Sequence, residues 1–248
     1  FLMINHPPVE GACDYGWGEA PERDDDLINH LCDYYEKHKD VHISGSFEWD
    51  GIVASHASFE ELLKNREIDK LNDYLRFMFT KPICQGTAQG QHFYDQLKRD
   101  IDEIQKNTGF AIYDKFISLM EATALIPTFS PEQYQKKQDF LKFYTIDTDK
   151  YLGMLEAAYD VKLDAPKYQG GHFGIQTKEH GLYSDRDIMS LGIAIKVKQT
   201  YWNRSDITIC DLGGGVGHLT YWLRKLGFKN ITYIDLPTVT VSAMYFLE

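Results

Sequence analysis

The sequence predicts an α/β protein with a mostly helical N-terminal region, residues 1–165, and a second part, residues 166–248, that opens a parallel βαβ unit. Three observations carry that expectation. Apolar residues of the first region recur at helical spacing behind capping residues. Residues 207–234 run strand, glycine turn, helix, strand, an order that is nearly always parallel and right-handed. Charge divides the chain at the same place. Residues 166–248 carry 9 basic and 7 acidic side chains, whereas the whole 248-residue chain carries 26 and 37 for a net charge of −11.

The first helix is expected behind Asp24-Asp25-Asp26, with Leu27, Ile28, Leu31, Tyr34 and Tyr35 on one side. Acidic residues suit a first turn because they face the positive end of the helix dipole. Val41-His42-Ile43 reads as a short strand. Ser58-Phe59-Glu60-Glu61 has the spacing of a capping box, opening a stretch in which Leu62, Leu63, Ile68, Leu71, Leu75 and Met78 share an apolar side. Gln91 to Lys106 and Gly109 to Ile126 are two further helix candidates. Ser130-Pro131-Glu132-Gln133 sets a cap before Pro at the first helical position. Asp147-Thr148-Asp149 begins a helix through Leu152, Leu155 and Ala158.

A loop from Asp164-Ala165-Pro166 to Gln176 leads into the second part. Asp185 to Trp202 reads as a helix with Ile188, Met189, Leu191, Ile195 and Trp202 inward. Ile207–Cys210 and Ile231–Ile234 are strands, and Leu219–Leu226 between them is a helix stopped by Gly227. Thr238 to Leu247 starts a last helix.

Composition bounds the function. At 43% hydrophobic and 25% charged residues, the chain can bury a sizeable core. Its acidity argues against nucleic acid or an anionic membrane as the main partner. No apolar run approaches the ~18 residues of a membrane span. Cys13, Cys32, Cys84 and Cys210 are scattered without a CxxC pair, which suits reduced thiols and a cytoplasmic location. The start, Phe1-Leu2-Met3-Ile4-Asn5, lacks a signal peptide's basic and apolar regions and an initiator Met.

The chemistry is expected at Asp211-Leu212-Gly213-Gly214-Gly215-Val216-Gly217, the turn from the first strand into the helix. Glycines there let a ligand approach the backbone, and the helix behind them presents unpaired N–H groups. Asp235 ends the second strand, placed to accept the hydroxyls of an adenosine ribose. The G-x-G-x-x-G pattern of nicotinamide cofactors fails, since His218 stands where the third glycine belongs. There is also no Lys-Ser/Thr pair of a phosphate loop.

The D-x-G-x-G-x-G pattern resembles motif I of the class I S-adenosylmethionine methyltransferases. That resemblance implies a Rossmann-like domain over residues 166–248 and S-adenosyl-L-methionine as cofactor. It assigns cofactor binding to Asp211, Gly213, Gly214, Gly215, Asp235 and Leu236. Asp211 would act near the methionine end, and Asp235 would hold the ribose. Gly217 is read as allowing close helix–strand packing. Ile234-Asp235-Leu236-Pro237 and the helix ending Ala243-Met244-Tyr245-Phe246-Leu247 are similar to the sugar O-methyltransferases of bacterial polysaccharide loci. Gly171-His172-Phe173-Gly174 and the helix from Asp185 resemble further parts of that group. The implied reaction is methyl transfer to a hydroxyl of a polysaccharide sugar or its precursor, with a saccharide or other small molecule as acceptor. A class I sheet has seven strands, of which two are legible here. The domain therefore reads as truncated at Glu248, with further strands expected after it or from another chain. The acceptor base belongs to that later part, so the catalytic residues stay unassigned.

Other candidates stay open. His218 could touch the cofactor or face solvent. His172 could serve as a general base or be a surface loop histidine, and Tyr168 and Phe173 could cover the cofactor or simply pack. Asp24-Asp25-Asp26 and Asp147-Thr148-Asp149 contain D-x-D but precede helices and serve as caps. His38 and His42 would not share a helical face, so no metal site is expected. The many aromatic side chains could line a sugar cleft or fill the core. Competing functions are methylation of a non-sugar small molecule, a non-catalytic binding module on a relic fold, and a nicotinamide oxidoreductase. The chain could act as a homo-oligomer.

Overall fold

The computed structural model describes residues 13–40, 47–85, 89–99, 101–128, 142–202, 204 and 206–248, with the backbone alone at 47–50 and 101–103. It is a mixed α/β structure. The expected strand at 41–43 and the helix start at 130–133 lie outside the described residues.

Helix α1 (Asp25–His38) begins where its cap predicts, with the Asp24 carboxylate accepting from the Leu27 N–H at 2.8 Å. It buries Ile28, Leu31, Cys32 and Tyr35, one face at helical spacing. Helices α2 (Phe47–Ser55) and α3 (Ala57–Lys64) follow. The expected capping box at Ser58 does not form. The N-cap is His56, whose side chain makes no capping bond, so Ser58 lies inside the first turn.

The apolar stretch from Leu62 to Met78 is also not one helix. It breaks at Arg66 (φ +51°) before α4 (Ile68–Arg76). The Arg66 N–H donates to Leu63 O and the Glu67 N–H to Leu62 O, the paired bonds of a Schellman ending. Glycine usually fills its left-handed position. Here Arg66 does, and its guanidinium bonds the Asp33 carboxylate at 2.7 Å.

Two 3-10 turns, Met78–Thr80 and Pro82–Cys84, lead to α5 (Gly90–Arg99) and α6 (Ile101–Ala122). The two helices expected over 91–106 and 109–126 divide elsewhere: α5 ends at Arg99, and α6 begins at Ile101 and runs through Gly109. That glycine is a crossing point. A Cβ on it would lie 2.8 Å from the Tyr15 side chain. Tyr15 belongs to β1 (Tyr15–Trp17), a strand inside the region read as helical. It pairs antiparallel with β2 (Phe173–Gln176), Tyr15 opposite Ile175, and β2 pairs with β3 (Leu182–Tyr183).

Helix α7 (Thr148–Tyr159) is capped by Asp147, which accepts from the Asp149 N–H at 3.0 Å. Asp24 and Asp147 thus act as the caps expected of them. Helix α8 (Asp185–Thr200) buries Ile188, Leu191 and Ile195 as expected. Met189 and Trp202, read as inward, are exposed. The parallel pair β4 (Thr208–Leu212) and β5 (Asn230–Ile234) flanks α9 (His218–Lys225), and α10 (Pro237–Leu247) follows. On one face of that pair Thr208, Cys210, Leu212, Asn230, Thr232 and Ile234 are open to solvent.

Two apolar clusters fill the interior. One gathers Tyr113, Phe116, Leu152, Phe173, Ile188 and Trp222, and the other Ile28, Leu31, Phe59, Leu75, Phe79 and Phe246. Both draw on residues from either side of position 165. The join is tight at Gly18, whose N–H donates to His172 O at 2.6 Å while its own carbonyl accepts from Gly171 N. Among the described residues no helix is long and apolar enough to cross a membrane.

One carboxyl in the first cluster's wall sets a pH dependence. Asp114 accepts the Tyr144 hydroxyl, and burial pushes its pKa up to about 6. Its value in the unfolded chain is about 3.9. The folded state therefore holds a proton that the unfolded state has lost between about pH 4 and 6. The stabilisation is full below that window and is lost as pH rises through it. Urea unfolding of the wild type should lose midpoint between pH 4 and 6 relative to Asp114→Asn. Parallel pH profiles for the two proteins would exclude this.

Candidate functional site

The glycine turn lies where the sequence places it, at the C-terminal end of β4 and ahead of α9. Gly213, Gly215 and Gly217 all have left-handed backbones, with φ of +70°, +62° and +93°. Three left-handed residues within five make a turn that side chains with a Cβ resist. The turn is pinned at both ends. The Gly213 N–H donates to Ile234 O at 2.8 Å across the strand ends, and the Gly217 N–H donates to Gly214 O at 3.1 Å.

Asp235 grips this turn from the end of β5. Its Oδ2 accepts the Gly215 N–H at 2.9 Å, and its Oδ1 accepts the Leu236 N–H at 2.7 Å. Burial raises its pKa, opposed by those two N–H groups and the Tyr233 hydroxyl. Asp211 is nearly buried and accepts the Thr220 hydroxyl at 2.8 Å. It lies beneath Gly214, where an added Cβ would sit 2.8 Å from its Oδ2. The structure therefore gives Asp211 a bracing contact under the turn. Gly213 is exposed with nothing within 4 Å of where a Cβ would go. Leu236 caps α10 with its side chain buried, so only its backbone faces the turn's partner Asp235.

The remaining candidates separate. Gly217 does allow close packing, but against a helix: a Cβ there would be 3.2 Å from Leu247 on α10. His218 neither reaches the turn's open side nor faces solvent. It is buried, 5% exposed, beside Phe246 and His172. His172 is fully buried and stacks on Phe79 at 3.9 Å, so the surface reading fails for it too. Burial, with the Arg186 charge nearby, pushes its pKa down to about 3. A base closed off from solvent has no path to an acceptor hydroxyl. Phe173 is fully buried in β2, and Tyr168 packs on Tyr245. A surface concavity lined by Asp25, Asn29, Arg66 and Asp69 belongs to α1 and α4 and contains none of these residues.

Tyr233 is the turn residue that sequence reasoning missed. Its hydroxyl donates to Gly215 O, and its ring lies 2.5 Å from where a Gly214 Cβ would sit. The signal was present. Positions two apart on a strand share a face, so Tyr233 and Asp235 both address the turn. Comparison of the chain with family models, with curated proteins and with solved structures finds no match.

Proposed function

We propose that the chain binds S-adenosylmethionine at the glycine turn and belongs to an O-methyltransferase acting on a sugar hydroxyl. One observation carries this reading. Parallel strands β4 and β5 flank a left-handed glycine turn, and the acid ending β5 holds that turn through the Gly215 N–H. In open α/β sheets ligands bind beyond the carboxyl ends of the strands.

The residues present fit the cofactor. Gly213 offers exposed backbone with free space beside it. Asp235 Oδ1 accepts the Leu236 N–H and keeps a second lone pair for a ribose hydroxyl. Ionised Asp235 is the form that accepts; burial raises its pKa, and the Gly215 and Leu236 N–H groups work against that rise. Asp211 and Thr220 fix the floor beneath Gly214. When bound, the cofactor supplies an electrophilic methyl carbon. The chain's part is to hold donor and acceptor in line. The sugar acceptor rests on the Ile234-Asp235-Leu236-Pro237 segment.

Calorimetric titration of the protein with S-adenosylhomocysteine tests the reading, with NAD in a parallel titration. Micromolar binding is expected, weakened at least tenfold in Asp235→Ala, about 1.4 kcal/mol. No binding to folded protein, or binding of NAD instead, would refute it.

A further inference from the structure

His172, Asp187 and His218 come from three separate elements and meet in the interior. His172 immediately precedes β2, Asp187 lies in the first turn of α8, and His218 opens α9 behind the glycine turn. None of the three is more than 5% exposed. Each offers one donor atom, and these atoms all lie within 4.8 Å of one another. His218 Nε2 is 3.8 Å from Asp187 Oδ1.

The donors are unsatisfied. Both ring nitrogens of His172, Nε2 of His218 and Oδ1 of Asp187 are buried without a hydrogen-bond partner among the described residues, and so is Oε1 of the neighbouring Gln169. An unpartnered buried polar group costs about 1–3 kcal/mol, and native interiors hold few. Several collected in one place call for a ligand. Asp187 shows the division of labour within one side chain. Its Oδ2 accepts from the Ser184 N–H at 2.9 Å, the Ser184 hydroxyl at 2.6 Å and the Gln169 amide at 3.2 Å. That oxygen completes the capping box of α8. The other oxygen is left for His218. Burial pushes the Asp187 carboxyl up to about 7, against the Ser184 bonds and the nearby Trp222 indole, which itself makes no hydrogen bond of good geometry.

We propose that His172, Asp187 and His218 bind a divalent transition-metal ion, with Zn²⁺ the species that best suits a closed, two-imidazole, one-carboxylate set. A tetrahedral Zn²⁺ with bonds of ~2.0–2.1 Å spaces its donors ~3.4 Å apart. The observed separations need side-chain shifts on the order of 1 Å to reach that. Gln169 Oε1 or a water completes the fourth position. Burial keeps both imidazoles neutral, the form that ligates. Arg186 and Asp185 flank the cluster with opposite charges. The site is structural. It ties the segment before β2 and the start of α8 to the start of α9, and so anchors the glycine turn from behind. It does not rest on the methyltransferase reading.

The test begins with the wild-type chain, stripped with chelator, dialysed against Zn²⁺ and then against buffer, with metal measured by inductively coupled plasma mass spectrometry. One ion per chain is expected, and Co²⁺ in its place should show the visible absorption of a low-symmetry nitrogen–oxygen site. Zn²⁺ should raise the thermal midpoint of the stripped protein, because a ligand that binds only the folded state stabilises it. His218→Gln and Asp187→Asn, checked for folding by circular dichroism, should each bind at least tenfold more weakly. Cys210→Ser, which removes the exposed thiol, should bind as the wild type does. A folded wild type that retains no ion and gains no thermal midpoint would overturn the proposal. So would a folded His218→Gln that binds unchanged, or binding lost in Cys210→Ser.

Discussion

Gly170→Ala is expected to cost about 3 kcal/mol or more of folding stability, among the largest single-residue effects in the chain. The added Cβ would lie 1.7 Å from the Arg76 carbonyl oxygen and 3.0 Å from the Ala20 Cα. Both neighbours are backbone, so no rotamer change relieves the overlap. Three stretches of chain cross here: the segment after β1, the end of α4 and the approach to β2. Gly18 makes the matching approach, where a Cβ would sit 2.0 Å from Gln169 O. Gly153→Ala is the control. It lies within α7 with nothing within 4 Å, and should gain about 0.5–1 kcal/mol from lower backbone entropy in the unfolded state. Urea unfolding followed by circular dichroism measures both. A Gly170→Ala protein as stable as wild type would mean that the three segments do not cross this closely.

At the glycine turn, Gly214→Ala should reduce S-adenosylhomocysteine binding about a hundredfold, or about 2.7 kcal/mol. Its Cβ would meet the Tyr233 ring at 2.5 Å and Asp211 Oδ2 at 2.8 Å. The ring cannot swing aside freely, because its hydroxyl holds Gly215 O. Pushing it away also disturbs Asp235, which Gly215 N and Tyr233 both address. Gly213→Ala faces open space and meets only the cost of its left-handed backbone, about 1–2 kcal/mol of stability. Titration of both variants separates the two effects. Equal binding by Gly214→Ala and the wild type would show that Tyr233 and Asp211 do not set the turn's shape.

What was legible in the sequence was local. Asp24 and Asp147 announce their helices through their own carboxylates. The order β4, α9, β5 follows from a glycine turn between two β-branched runs. What was illegible depends on partners far along the chain. Three residues, Tyr15–Trp17, make too short a strand for periodicity to reveal, and only β2 makes them one. Arg66 ends α3 in a conformation that sequence rules assign to glycine, with its side chain bonded to Asp33 on α1, a contact no local pattern reveals. Gly109 reads as the start of a second helix, and it lies instead inside α6 as a gap for Tyr15. His172 and His218 carried no sign of burial, since the chamber that receives them is built by Phe79, Phe246 and α8. Ser184 and Asp187 did offer a signal, the three-residue spacing of a capping box, but nothing local marks the carboxylate's second oxygen as turned inward.

The pairing of β1 with β2 also has a bearing on how the chain folds. Tyr15 and Ile175 are about 160 residues apart in sequence. A growing chain therefore makes residues 15–17 about 160 residues before their hydrogen-bonding partners. Closing so long a loop costs entropy before any contact rewards it, and contacts of high sequence separation slow folding. Helices α1, α3 and α4 can assemble on their own neighbours in the meantime. The β1 amides should therefore be among the last to gain protection from hydrogen exchange during refolding, with Gly109 left as an open notch in α6 until Tyr15 arrives.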